Sequence, residues 1–240
     1  PRVLRGKSLK FHANTLKILK MKIIKLVILL FLMNFQVNAQ EVEEYSKDNL
    51  SITFKNFDPT LKEGTEEKFV STVFEVYPKL LKDFNPNAQK HITIKIDTSY
   101  TGVAYASNGE ITVSSRWLKQ KPTDIDLITH EVMHLIQSYP HGGGPVWLSE
   151  GVADYVRFKY GVDNTGAGWS LTDFNENQSY TNSYRITARF LVWLSENYDD
   201  AIVYKLDQQM RSKTYSEDSW IKLTGKGIDS LWDQYSKNPE

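Results

Sequence analysis

Residues 130–157 read HEVMHLIQSYPHGGGPVWLSEGVADYVR, from His130 to Arg157, and the way this stretch must be arranged decides the fold. His130 and His134 are four apart, so on an α-helix they stack on one face and can aim a ring nitrogen at the same ion. Glu131 lies beside them, where the carboxylate of an H-E-x-x-H pattern takes a proton from water instead of binding metal. A hydrolytic zinc site needs a third protein ligand and an open fourth position. Glu150, 16 residues beyond His134, is the best-placed donor. The run Tyr139-Pro140-His141-Gly142-Gly143-Gly144-Pro145 ends one helix and lets a second, starting near Val146, fold back alongside it. Asp154, at helical spacing after Glu150, is placed to accept the remaining ring N–H of His130 or His134. The expectation is one zinc ion on His130, His134 and Glu150, with Glu131 as general base.

Other readings of the same residues fail on register. H-E-x-x-H alone is short enough to arise by chance in unrelated helices, and it is the downstream E-x-x-x-D that adds weight. A third histidine in the metzincin spacing would fall at Pro140 and its glycine at Gln137, which leaves His141 as a loop histidine. A serine hydrolase using the HGGG loop lacks its nucleophile elbow, since Trp147 stands at the first glycine position around Ser149.

Before the metal stretch the patterns are mostly those of strands. Leu50 to Phe57 alternates and reads as a strand after a polar lead, and residues 62–83 carry Phe69, Val73, Val76, Tyr77, Leu80 and Leu81 at helical spacing. After a turn at Asn85-Pro86-Asn87, His91 to Asp97 alternates again, with His91 a polar residue at the strand end. Gly102 to Ala106 and Glu110 to Ser114 form a hairpin through Ser107-Asn108-Gly109. Pro122, Thr123 and Asp126 introduce the metal helix, Thr123 and Asp126 having capping-box spacing. Beyond Tyr160, a polar loop to Gln178 precedes helical patterns over 180–197, 201–211 and 228–235. Strands first and helices afterwards give an α+β domain, a small N-terminal mixed sheet with the active-site helix followed by a mainly helical C-terminal lobe.

Charge and composition narrow the function. Met21 opens a segment with Lys22 and Lys25, an apolar run from Leu26 to Met33, then Val37-Asn38-Ala39, the pattern of a signal peptide cleaved after Ala39. Residues 1–20 read as upstream sequence, and residues 40–240 as a single catalytic domain. Eight of the 29 basic residues and none of the 29 acidic ones precede Gln40, which leaves 40–240 with a net charge of −8. No nucleic-acid partner is expected of such a surface. The apolar run is short for a bilayer, so no stable membrane anchor is expected. With no cysteine, the chain must be held by its core. A secreted or periplasmic bacterial monomer acting on a peptide or protein fits this set, with a non-catalytic secreted binding protein on the same scaffold as the alternative.

HEVMH followed by WLSEGVADYVR is similar to the gluzincin metallopeptidases, which take their third ligand from a glutamate on a second helix. Together with GVAYASNGEITVSSRWL (Gly102 to Leu118) and YRITARFL (Tyr184 to Leu191), the stretch resembles the basic secretory protein family of peptidases, in the same order. The resemblance implies a zincin-like fold whose cleft-bordering strand binds extended peptide by strand addition, here Gly102, Val103, Ala104 and Tyr105. It also implies an oxyanion donor at Tyr184, with Tyr180 and Tyr105 as rivals. The acidic balance of residues 40–240 departs from the family name.

Overall fold

The computed structural model describes residues 41–239. The expected signal peptide, Met21 to Ala39, lies outside them. Five strands form one mixed sheet in the order β1-β2-β3-β5-β4: β1 Glu41–Lys47, β2 Leu50–Asn56, β3 His91–Asp97, β4 Ala104–Ser107 and β5 Glu110–Ser114. The inner pairs β2·β3 and β3·β5 are parallel and the outer pairs β1·β2 and β4·β5 antiparallel. Alternation sets the faces. Ile92, Ile94 and Ile96 of β3 are fully buried while Thr93, Lys95 and Asp97 are half-buried. The β4–β5 hairpin turns on Asn108 (φ 48°) and Gly109 (φ 84°), the left-handed pair that matches strand twist.

Helix α1 (Thr65–Asp83) carries the chain from β2 to the parallel β3, as a crossover requires. Its Phe69, Val73, Val76, Tyr77 and Leu80 recur on one face and are fully buried, each contributing about 1.5–3 kcal/mol of apolar transfer. Next come α2 (Ser115–Gln120), α3 (Leu127–Gln137) and α4 (Val146–Tyr160). A 3₁₀ turn (Tyr180–Asn182), α5 (Tyr184–Asn197), α6 (Ile202–Arg211), α7 (Asp218–Thr224) and α8 (Ile228–Lys237) complete the described chain. Helix α3 is packed between α1, α4 and the β4 side of the sheet, and all but one of its residues are buried. Helices α4 and α5 approach closely at Gly151, where an added Cβ would meet Thr187 Cγ2 at 2.2 Å. None of the helices among the described residues is long and apolar enough to cross a membrane.

Several expectations need correction. The polar lead before Leu50 is β1, a sheet edge whose exposed EVEEYSK sequence has little apolar content to mark it as a strand. The expected helix over 180–197 is broken, because Ser183 (φ 64°), between the 3₁₀ turn and α5, and Tyr184 (φ 51°), the first residue of α5, leave the helical region. Thr123 and Asp126 form no capping box. Asp126 instead accepts the Thr129 hydroxyl at 2.8 Å and the backbone N–H groups of Val162 and Asp163 at 2.9 and 2.5 Å, fastening the loop after α4 to the start of α3. The strand expected from Gly102 starts at Ala104, although the Val103 carbonyl still accepts Ser114 N–H at 2.9 Å.

Candidate metal centre

Three cross-contacts fix how α3 and α4 face each other. Gln137 Nε2 donates to the Ser149 carbonyl at 2.9 Å, His134 Nε2 lies 3.5 Å from Glu150 Oε2, and His130 Nδ1 lies 2.7 Å from Asp154 Oδ1. Moving back along α3 from 137 to 130 moves forward along α4 from 149 to 154, so the helices are antiparallel and the loop between them makes the reversal. That loop begins at Ser138, which ends α3 in the left-handed conformation (φ 42°, ψ 40°). His141 stays exposed in it, away from the cluster.

Among the described residues His130, His134 and Glu150 form the group that can hold a metal ion, with one donor atom from each. The triangle has edges of 3.1 Å (His130 Nε2 to His134 Nε2), 3.3 Å (His130 Nε2 to Glu150 Oε2) and 3.5 Å (His134 Nε2 to Glu150 Oε2). Tetrahedral zinc with bonds of about 2.0–2.2 Å needs donors roughly 3.3 Å apart, so the triangle is of the right size.

Proton placement sharpens this. Only an N–H can donate to the Ser149 carbonyl, so the Gln137 amide is oriented with Nε2 there and its Oε1 toward His134 Nδ1 at 2.8 Å. The His134 Nδ1 must then carry the proton, and His130 Nδ1 does the same toward the Asp154 carboxylate. In their neutral forms both rings are left with bare Nε2 lone pairs, converging with a carboxylate. Such a set repels itself without a cation in its midst. Burial works against charge on His130, yet the hydrogen bonds to Asp154 and Glu150 outweigh it and push its pKa up to about 10. The His130 and His134 hydrogen bonds likewise hold the Glu150 carboxyl well below the usual range, against the burial that would raise it.

Glu131 is buried on the cavity side of α3, and its Oε2 has no hydrogen-bond partner among the described residues. A buried carboxylate oxygen with no partner in the protein keeps its lone pairs available to a proton or to a donor on a ligand in the cavity. Burial raises its pKa above the ordinary glutamate value, against the pull of His130 and His134.

The donors line a cavity of about 870 Å³, bordered by the open edge of β4 through Ala104, Tyr105 and Ala106. Tyr184 reaches the same cavity, half-exposed, its ring centroid 6.1 Å from that of His130. A bulky residue at φ 51° is strained backbone, here at the point where the chain turns the phenol toward the histidines. Tyr180 points elsewhere, donating to Asp229 at 2.8 Å, whereas Tyr105 remains on the cavity wall. Gln137 was singled out in the sequence only as a failed metzincin position. Its signal was present, since it lies three residues after His134 on the same helix, but an amide at that spacing has many ordinary uses.

No curated protein sequence matches the chain. Among solved structures, its fold is similar to Legionella pneumophila aminopeptidase A in complex with aspartic acid, at 13% identity and TM-score 0.54, over 81% of this chain and 27% of that one. It is also similar to an aminopeptidase N family protein from Idiomarina loihiensis, at 10% identity and TM-score 0.50, over 82% of this chain and 46% of that one. The chain thus spans less than half the length of either protein, and at these identities the likeness is one of fold. Residues 36–235 match the family described as a peptidase of plants and bacteria, and the chain belongs to that family.

Proposed function

We propose that the protein is a zinc-dependent peptidase with a zincin-like active site, in which His130, His134 and Glu150 hold one zinc ion and Glu131 is the general base. The observation that carries this reading is the convergence of two imidazole Nε2 atoms and a carboxylate in a 3.1–3.5 Å triangle beside an unpartnered buried carboxylate. Zinc in that position would polarise a peptide carbonyl and make a bound water easier to deprotonate.

The remaining work falls to this chain's own groups. Glu131 takes the proton of the attacking water and delivers it to the leaving amine; a carboxyl raised by burial is the stronger base for the first step and a usable acid for the second. Asp154 and Gln137 hold the two imidazoles in the tautomer that presents Nε2. Burial and the nearby charges of Glu150, Asp154 and Glu131 push the Tyr184 phenol up, so it stays protonated and can donate to the oxygen that becomes negative. An extended substrate would add to the free edge of β4, its backbone pairing with Ala104 and Tyr105 and passing Gly102 and Val103. In this reading residues 40–240 act as one monomeric domain, exported after cleavage behind Ala39.

Metal analysis of the purified protein, paired with hydrolysis of a mixed peptide library, tests the assignment. About one zinc per chain and cleavage that stops on chelation and returns with added zinc are expected. Glu150→Ala should lower the metal content. A protein that retains one zinc per chain in Glu150→Ala and in both histidine-to-alanine variants would require another site.

A further inference from the structure

Past the donor triangle, the cavity has a wall whose uncompensated charges all have one sign. A series of contacts builds it. Arg185 Nη1 donates to the Ser170 carbonyl at 3.4 Å, and next to Ser170 the Trp169 ring centroid lies 4.5 Å from the Arg157 guanidinium. Arg157 pairs with Asp124 at 2.5 Å, and Asp124 also accepts the Trp117 indole N–H at 2.9 Å. Lys121 lies one turn beyond Trp117, its backbone N–H on the Trp117 carbonyl at 2.8 Å.

Asp124 and Arg157 neutralise each other. Lys121 and Arg185 are exposed, line the same cavity, and have no carboxylate partner among the described residues. The carboxylates lining the cavity are engaged elsewhere: Asp124 by Arg157, Glu150 by the two histidines, Asp154 by His130. Glu131 is the exception, and it stands beside the metal donors. A cationic group on a ligand finds no free counter-charge on this wall, whereas an anionic one finds Lys121 and Arg185 in a cavity that Trp117 and Trp169 also line. The sign is opposite to that of residues 40–240 as a whole, where acidic residues outnumber basic ones.

We propose that this wall is a subsite for an anionic side chain, so that the peptides bound, and cut, are those carrying Asp or Glu near the bond that breaks. For cleavage the inference rests on the peptidase reading; for binding it does not. Lys121 and Arg185 are specificity residues, with no part in the bond-breaking step.

The test uses the full chain as the zinc-loaded Glu131→Gln variant, with three fluorescent peptides alike except for a central Glu, Gln or Lys, and reads affinity by anisotropy. The Glu peptide is expected to bind about tenfold more tightly than the Gln peptide, the Lys peptide more weakly still, from two partly exposed ion pairs. That spread should shrink as ionic strength rises from about 0.05 to about 0.5 M. Adding Lys121→Glu and Arg185→Glu should invert the order. Lys68→Glu with Lys82→Glu, the same charge change on exposed α1 positions outside the cavity, should leave it intact. Equal binding of the three peptides, or inversion by the α1 pair as well, overturns the subsite. In the wild-type protein, cleavage without charge preference would retain the peptidase and remove the subsite; preferential binding of the Glu peptide with no cleavage of any would do the reverse.

Discussion

On the helical side of the cavity His130, Glu131 and Asp154 are 8%, 6% and 5% exposed, and hydrogen bonds, one of them to the Asp154 carboxylate, tie α3 to α4. On the sheet side Val103 and Tyr105 are 41% and 45% exposed, and the outer edge of β4 has no strand beside it among the described residues. The contrast follows from the two tasks. On the proposed function, groups that would meet a small ion within tenths of an ångström are locked by partners, whereas a surface that would meet varied side chains keeps an open backbone edge. Mutations among the donors on α3 and α4 and their partners should therefore act on metal and turnover, and those on the sheet side on stability and substrate range.

The largest break is expected at Glu131. Glu131→Gln retains shape and deletes the base, so turnover should fall about a hundred- to ten-thousandfold with zinc still bound one to one. Near-normal turnover in this variant would end the proposed mechanism. Tyr184→Phe deletes only the donor, and a drop of about ten- to a thousandfold is expected without loss of metal or fold. Unchanged rates would move the search to Tyr105, since Tyr180 is occupied by Asp229. Removing the partners that orient the histidines comes next. Asp154→Ala and Gln137→Ala should each weaken zinc binding by about ten- to a hundredfold in chelator competition, the charged partner more. If Gln137→Ala binds zinc as the wild type does, the amide only ties α3 to Ser149.

The smallest effect, on the sheet side, depends on pH. Asp58 follows β2 and receives hydrogen bonds from Ser115 (2.5 Å) and Thr60, with Lys119 at 3.0 Å. Burial would raise its carboxyl, but these partners outweigh it and hold it well below the usual carboxylate range. A depressed folded-state value contributes stability above the unfolded value near 3.9 and loses it as pH falls further. Asp58→Asn should thus lower the melting temperature at pH 7, with a loss of about 1–3 kcal/mol, and less so near pH 3. An equal loss at both pH values would assign the effect to packing.

What could be read along the chain was whatever repeats at a local period. The α+β class, β3 from His91 to Asp97, the start of α4 at Val146 and the four residues His130, Glu131, His134 and Glu150 all show in spacing alone, because helical and strand periods decide which side chains share a face. The same logic placed Asp154 as a partner for a histidine. It left open which one, since both rings lie within reach of α4 until the antiparallel docking of the two helices is known. Only the tertiary structure chose His130, gave Gln137 to His134, and used Asp126 to hold the loop at Val162 instead of a helix cap. It alone showed β1 as an edge strand and brought Lys121 and Arg185, 64 positions apart, to one cavity. Contacts between distant segments leave no period in the sequence, because they depend on how whole elements pack and on which polar groups that packing leaves without water.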